Sequence, residues 1–285
     1  MMVNIKQAYA QCEAVTAHHS KTFYRAFSLL PPYDRQAIWA IYAFCRRIDD
    51  IVDEGEKPHE QLQQFEKQWQ SFLAGHTEDD FMWIALRDVF SRYDMDDEPF
   101  WHMIEGQKMD LTVHRYDTFS QLLRYCYCVA STVGLMLLPI LAPNAQDELK
   151  ESAIALGEAM QLTNILRDIG EDVTRGRIYI PREVMERYGV NEQHIFFGQV
   201  TSSFIDLWEH LAKEAENRYD DAEKMFFLYP LSARLAVKGA ALMYKSILHA
   251  VREQQYDVFT TRAFVSEERK KALLQQIGGE NVEVG

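Results

Sequence analysis

Two rows of oxygen-bearing side chains limit what this chain can fold into more than any other feature. Gln161, Asn164, Asp168 and Asp172 recur at intervals of three, four and four residues. That spacing places them in one line along a single face of an α-helix. Leu162, Ile165, Leu166 and Ile169 fall between them and point elsewhere, where they can anchor the helix in a core. Residues 151–160 continue the same helical pattern upstream without a proline. A line of oxygen donors on an otherwise apolar helix suits a hard cation such as Mg²⁺.

The second row lies far upstream. Tyr42, Arg46, Asp49 and Asp53 are spaced by four, three and four, again one helix face, while Trp39, Ile41, Phe44, Ile48 and Val52 occupy the others. Two carboxylates one turn apart repel by a few tenths of a kcal/mol even when exposed. Partial burial sharpens the repulsion unless a cation sits between them. Two such helices face to face would hold several metal ions over a shared cavity.

Composition removes other function classes. Of 285 residues, 47% are hydrophobic, enough for a sizeable core, and 13 Gly with 8 Pro are too few for a disordered chain or a β-sandwich. The formal net charge of −13 argues against a nucleic-acid surface, which needs a basic footprint. Cys12, Cys45, Cys126 and Cys128 have no metal-type spacing and read as reduced, buried thiols of a cytosolic protein. The N-terminus lacks the apolar core of a signal peptide. The uncharged run 125–146 matches the roughly 20 residues of a membrane span. Ser131, Thr132 and Gly134 dilute it, and Pro139, Pro143 and Asn144 break its second half. It is therefore expected to be a buried helix followed by a loop. The expected location is the cytoplasm, with transient docking on a membrane left open.

Periodicity predicts helices over 5–18, 60–73, 80–93, 99–111, 119–138, 183–188, 201–229 and 231–255, besides the two that carry the rows. Ser20 and Thr22 stand at a helix start where they can cap it, and Pro31-Pro32 opens the first row's helix. Taken alone, Asp110 reads as a surface residue near a helix end, and Tyr125 and Tyr244 as core tyrosines. The basic stretch 174–181 after the second row suits either phosphate contact or plain solvation. A last helix carries Arg269, Lys270 and Lys271, and residues 281–285 fray. No strand-rich section or linker interrupts the pattern. The prediction is one all-α domain over 1–285.

At these residues the chain resembles the squalene/phytoene synthase family, the head-to-head prenyl synthases. The likeness runs from Ser20-Lys21-Thr22-Phe23 to Arg262-Ala263-Phe264-Val265 and is strongest at two motifs. These are Arg46-x-x-Asp49-Asp50-x-x-Asp53 and Gln161-x-x-Asn164-x-x-Arg167-Asp168-x-x-Glu171-Asp172. Within the family it is most similar to bacterial dehydrosqualene synthases, which act on farnesyl diphosphate. The resemblance implies an isoprenoid-synthase helical bundle with a central cavity. It implies that Asp49, Asp53, Asn164, Asp168 and Asp172 hold Mg²⁺, with the aspartates and Tyr125 and Tyr244 serving catalysis. It further implies that Ser20, Tyr42, Arg46, Asp110, Gln161, Arg167 and Arg262 bind prenyl diphosphate. Ser131 departs from the family, which usually has glycine there; a hydroxyl beside the cavity would alter packing or hold a water, and bears on product choice.

The chemistry is consistent with the residues. Ionising an allylic diphosphate needs Mg²⁺ and arginine to neutralise the departing charge. The carbocation left behind needs a dry, aromatic cavity. Four other readings compete. In a scaffold protein both rows would be solvated faces, a double coincidence on apolar helices. Chain elongases share the first motif but repeat its Asp-Asp-x-x-Asp run at the second site, which here differs. A phosphatase on the same fold would release farnesol. Squalene formation would need NADPH, for which no glycine-rich fingerprint is found. The expected product is dehydrosqualene, made without NADPH, with phytoene from a C20 substrate as the alternative.

Overall fold

A computed structural model of the chain describes residues 4–270 and 272. Several of its helices start at strong capping signals. Asn4 and Gln7 form a capping box at α1 (Ile5–His19), and Ser20 caps α2 (Lys21–Phe27). Pro32 and Pro58 occupy the first positions of α3 (Pro32–Glu54) and α4 (Pro58–Leu73), where a missing N–H costs nothing. Asp80 caps α5 (Phe81–Arg92), and α6 (Glu98–Thr112) follows. Thr118 and Gln121 box the start of α7 (Phe119–Cys126). A π-turn over Tyr127–Ser131 then leads into α8 (Thr132–Leu141). The long α9 (Gln146–Thr174) precedes two short helices, α10 (Arg182–Arg187) and α11 (Glu192–Phe196). Finally come α12 (Ser202–Glu223) and α13 (Leu231–Glu253). Among the described residues there is no strand, only an isolated bridge between Arg115 and Ile178.

The two row-bearing helices are rooted in different cores. α3 buries Trp39, Phe44 and Ile48; Phe44 packs against Phe65, Trp69, Trp83 and Phe100, and Trp39 against Phe23 and Tyr24. α9 lies along α12 and buries Leu162, Ile165, Leu166 and Ile169 with Phe204, Leu207 and Trp208. Trp208 Nε1 donates to Leu166 O at 3.1 Å. Each large side chain taken out of water contributes roughly 1.5–3 kcal/mol. Both helices are thus fixed along their apolar faces and leave the polar rows to the space between them.

Four expectations change. The segment predicted as one helix over 119–138 is split by the π-turn, and Pro139 lies inside α8 instead of ending it. The helix predicted over 201–229 stops at Glu223 and gives way to a 3₁₀ turn at Phe226–Leu228. α11 went unpredicted because five residues carry too little periodicity. Phe119–Leu141 is long and apolar enough to cross a membrane by length and composition, yet 56% of its most apolar window is buried in the protein. Residues 267–270 are helical as predicted, whereas Lys271 and 281–285 lie outside the described residues.

Candidate active site

On α3 the first row forms a charged ladder. Arg46 Nη1 donates to Asp49 Oδ2 at 2.8 Å, and its other terminal nitrogen pairs with Asp50. The buried Nε of Arg46 has no hydrogen-bond partner. Burial raises Asp49 to about 6; Arg46 opposes the rise, and Asp53, Asp50 and Asp110 add to it. One turn upstream on the same face, burial pushes the Cys45 thiol up to about 12, so it stays neutral.

On α9 the second row is equally crowded. Arg167 Nε donates to Asp168 Oδ1 at 2.7 Å. Arg262, on the segment after α13, donates to both oxygens of Asp168 at 2.9 and 3.1 Å. Asn164 Nδ2 donates to Gln161 Oε1 at 3.3 Å. Asp172 is raised to about 8 by burial and by the charges of Asp168 and Glu171, with Arg177 and Arg175 pulling the other way. The main chain past α13 is held to this helix as well, by Gly170 N donating to Val258 O at 3.1 Å.

The basic stretch after α9 joins the two rows. Arg175 donates to Asp53 Oδ2 at 2.8 Å and to Glu171 Oε1 at 3.2 Å. Arg177, whose side chain is 12% exposed, donates to Asp53 Oδ1 at 3.2 Å and to the Asp110 carbonyl at 3.3 Å. This loop is therefore built into the site and is not a solvated connector.

Asp110 is not at the surface. It is 7% exposed and accepts from Tyr125 Oη at 2.8 Å and from Tyr179 Oη at 2.7 Å. The two phenol rings stack with centroids 5.0 Å apart. Burial raises Asp110 above the usual carboxylate range, although Tyr179, Arg177 and Tyr125 oppose it. Sequence reading singled out neither Tyr179 nor Arg177. Both lie in the stretch 174–181 flagged as basic, and that was the available signal.

A cavity of ≈ 550 Å³ opens between the two rows. Ser20, Tyr42, Gln161, Asn164, Arg167, Tyr244 and Arg262 line it, with Phe23, Val129, Ala130, Val133, Met160 and Met243 as apolar wall. Asp49 and Asp53 on α3, and Asp168 and Asp172 on α9, lie further along the lining faces in the same chain direction. The carboxylates thus gather where Arg175 ties the two helices, and the apolar wall lies behind them. Phe23 closes the α2 side, packed on Phe27 and Tyr42 at 4.5 and 5.2 Å between ring centroids. Ser131 does not face the cavity: it is fully buried and donates to Ile154 O at 2.8 Å.

Among the described residues, no three His, Cys, Asp or Glu side chains converge on one ion position. Guanidinium groups hold Asp53 and Asp168 instead. The donor set still fits a hard divalent ion, because it consists of carboxylate and amide oxygens. Burial first, and neighbouring carboxylates second, disfavour the charged forms of Asp49 and Asp172, a cost that a bound cation would offset.

Comparison with known proteins agrees with this geometry. Residues 16–269 match the squalene/phytoene synthase family. The 15-cis-phytoene synthase of Synechococcus elongatus is 39% identical over 287 residues, covering 96% of this chain and 93% of that protein. The chloroplastic phytoene synthase of Daucus carota is 41% identical over 278 residues, 95% of this chain and 70% of the relative. Among solved structures, a dehydrosqualene synthase in complex with ligand superimposes with a TM-score of 0.92 at 40% identity, covering 98% of both chains. The squalene synthase HpnC from Alicyclobacillus acidocaldarius gives 0.83 at 28% identity, over 89% of this chain and 96% of the other. Carboxylate rows, arginine ties and apolar cavity thus occur in a chain that belongs to the squalene/phytoene synthase family of prenyltransferases, enzymes of head-to-head prenyl condensation.

Proposed function

We propose that this enzyme joins two molecules of farnesyl diphosphate head to head through a cyclopropylcarbinyl diphosphate and releases dehydrosqualene. The observation that carries this reading is that both carboxylate rows and five arginines gather beside one apolar cavity. Asp49, Asp53, Asn164, Asp168 and Asp172 would hold Mg²⁺, which supplies Lewis-acid charge to the departing diphosphate. Arg46, with its orphaned Nε–H, and Arg167 and Arg262 bind the diphosphate oxygens. Ser20, Tyr42 and Gln161 orient the substrate from the cavity wall. Tyr244 faces the carbocation from the cavity wall, whereas the buried Tyr125–Asp110–Tyr179 group lies outside the lining and joins the first row through Arg177; burial keeps both Tyr125 and Tyr244 protonated. The apolar wall excludes water, which would otherwise capture the cation as an alcohol. With no hydride donor in the scheme, the final cation loses a proton, giving a product with a new double bond.

Phytoene is the second reading, favoured by curated relatives that are phytoene synthases at 38–41% identity. We further take the chain to act as one catalytic domain in the cytoplasm, docking on a membrane to release its hydrocarbon. The test is incubation of the purified protein with Mg²⁺ and farnesyl or geranylgeranyl diphosphate, without NADPH, and product identification by mass. A C30 hydrocarbon supports the first reading and a C40 hydrocarbon the second. Prenyl alcohol alone makes the protein a phosphatase.

A further inference from the structure

The π-turn at Tyr127–Ser131 breaks a long helix in the middle of the cavity wall. Widened turns of this kind often occur where a helix has been adapted for function. This one places Val129 and Ala130, with Val133 just beyond, against the cavity. A glycine meets it on each side. A Cβ at Gly157 of α9 would lie 2.3 Å from Ser131 Cα and 2.8 Å from the Ala130 carbonyl carbon, so backbone touches backbone there. A Cβ at Gly106 of α6 would lie 2.7 Å from both Cys128 Cβ and Val129 Cγ1. Gly157 also lines the cavity, whereas Gly106 does not. The seam between Ser131 and Gly157 is therefore part of the cavity wall, and Gly106 backs Val129 from behind.

The seam is tied by a single side chain. Ser131 Oγ donates to Ile154 O at 2.8 Å, from the π-turn to the neighbouring helix. The next residue, Thr132, bonds back within its own helix, to Cys128 O at 2.7 Å. Ser131 is 0% exposed, so its bond has no competition from water.

We propose that Ser131 and Gly106 are specificity-determining residues that set how long a prenyl chain the cavity accepts. Ser131 keeps the π-turn closed on α9, and a longer chain has to part that seam. Gly106 leaves room for Val129 to stand back from the cavity. Replacing Ser131 by glycine removes the tie and lets the seam open. Replacing Gly106 by alanine pushes Val129 inward and narrows the wall. Neither residue touches the substrate, so both act through the position of the π-turn.

This inference rests on the assignment of prenyl diphosphates as substrates, and the experiment keeps the two apart. Farnesyl and geranylgeranyl diphosphate are supplied in competition to the unaltered enzyme, Ser131→Gly and Gly106→Ala, and consumption of each is measured. The readout is the ratio of kcat/KM for the C20 over the C15 substrate, which stays legible whatever the product. The expected result is a ratio at least threefold higher in Ser131→Gly and at least threefold lower in Gly106→Ala. A merely structural role would lower both rates together, leaving the ratio within threefold of the unaltered enzyme, and that result overturns the inference. So does a shift of both variants in the same direction. If Gly106→Ala fails to fold, Ser131→Gly decides alone by the same threshold. An unaltered enzyme that consumes neither diphosphate sinks the substrate assignment itself.

Discussion

Arg262 donates from Nε and Nη2 to the two oxygens of Asp168, at 2.9 and 3.1 Å, across 94 residues of sequence. Arg167 bonds the same carboxylate from the adjacent position on α9. One aspartate is thus held by two guanidinium groups that both line the cavity. Under the proposed function, an arriving diphosphate would offer the arginines a stronger anion and leave Asp168 for a metal ion, so these contacts would hold the parts of the site in place before substrate arrives.

Asp168→Ala and Asp49→Ala are expected to abolish turnover while leaving the helical circular dichroism intact. Arg262→Ala removes one charge donor and should lower kcat/KM by about 10²–10³-fold, the cost of losing one such group. Diphosphate release under steady state measures all three. Near-normal rates in both aspartate variants would show that the carboxylate rows are not the metal site.

Without divalent metal, stability should fall as pH rises. Asp172 titrates at 3.8 when unperturbed and at about 8 here, and Asp49 is raised to about 6. A folded state that keeps its proton longer than the unfolded chain binds more protons between those values, so its stability declines across that window. Thermal melts in EDTA at pH 5, 6.5 and 8 should show Tm falling stepwise. Mg²⁺ should raise Tm most at pH 8, with a stability gain of roughly 2.7 kcal/mol at a hundredfold excess over Kd. A Tm in EDTA that climbs from pH 5 to 8 would contradict this account, and turnover surviving rigorous chelation would contradict the metal.

The rows on α3 and α9 were legible because three- and four-residue spacing fixes a helix face without tertiary information. Asp110 was not. Its burial depends on Tyr179, 69 residues downstream, whose hydroxyl reaches it from a loop with no periodicity of its own. The π-turn was equally hidden, since only the Tyr125–Cys128 alternation disturbed an otherwise helical pattern. Pro139 was expected to break a helix and does not. Ser131 was expected beside the cavity, but its hydroxyl turns to Ile154. Local pattern gave the helix faces, while contacts between distant elements decided which polar groups were buried.

The Tyr179–Asp110 bond should be worth more to stability than an exposed one. Tyr179→Phe deletes a donor to a buried carboxylate that is also held by Tyr125. The expected loss is about 1–3 kcal/mol, read from denaturant midpoints at constant m-value. A loss below about 0.5 kcal/mol would mean that Asp110 is satisfied without it.

Arg175 and Arg177 both bond Asp53, yet their removal should have different consequences. The Arg175 side chain is 44% exposed, whereas Arg177 is 12% exposed and also donates to the Asp110 carbonyl. Exposed ion pairs contribute 0–1 kcal/mol, so Arg175→Ala should change metal-free stability by less than about 1 kcal/mol. Arg177→Ala removes a nearly buried guanidinium from the partly exposed Asp53 carboxylate and leaves the carbonyl of the buried Asp110 without this partner, at about 1–3 kcal/mol. Mg²⁺ should recover part of that loss, because an ion on Asp53 replaces the missing positive charge, while the Asp110 carbonyl stays unpaired. Denaturant unfolding of both variants, with and without Mg²⁺, reads the difference. Equal losses in the two variants would mean that burial does not govern this end of the site, and a Mg²⁺-independent loss in Arg177→Ala would remove Asp53 from the metal set.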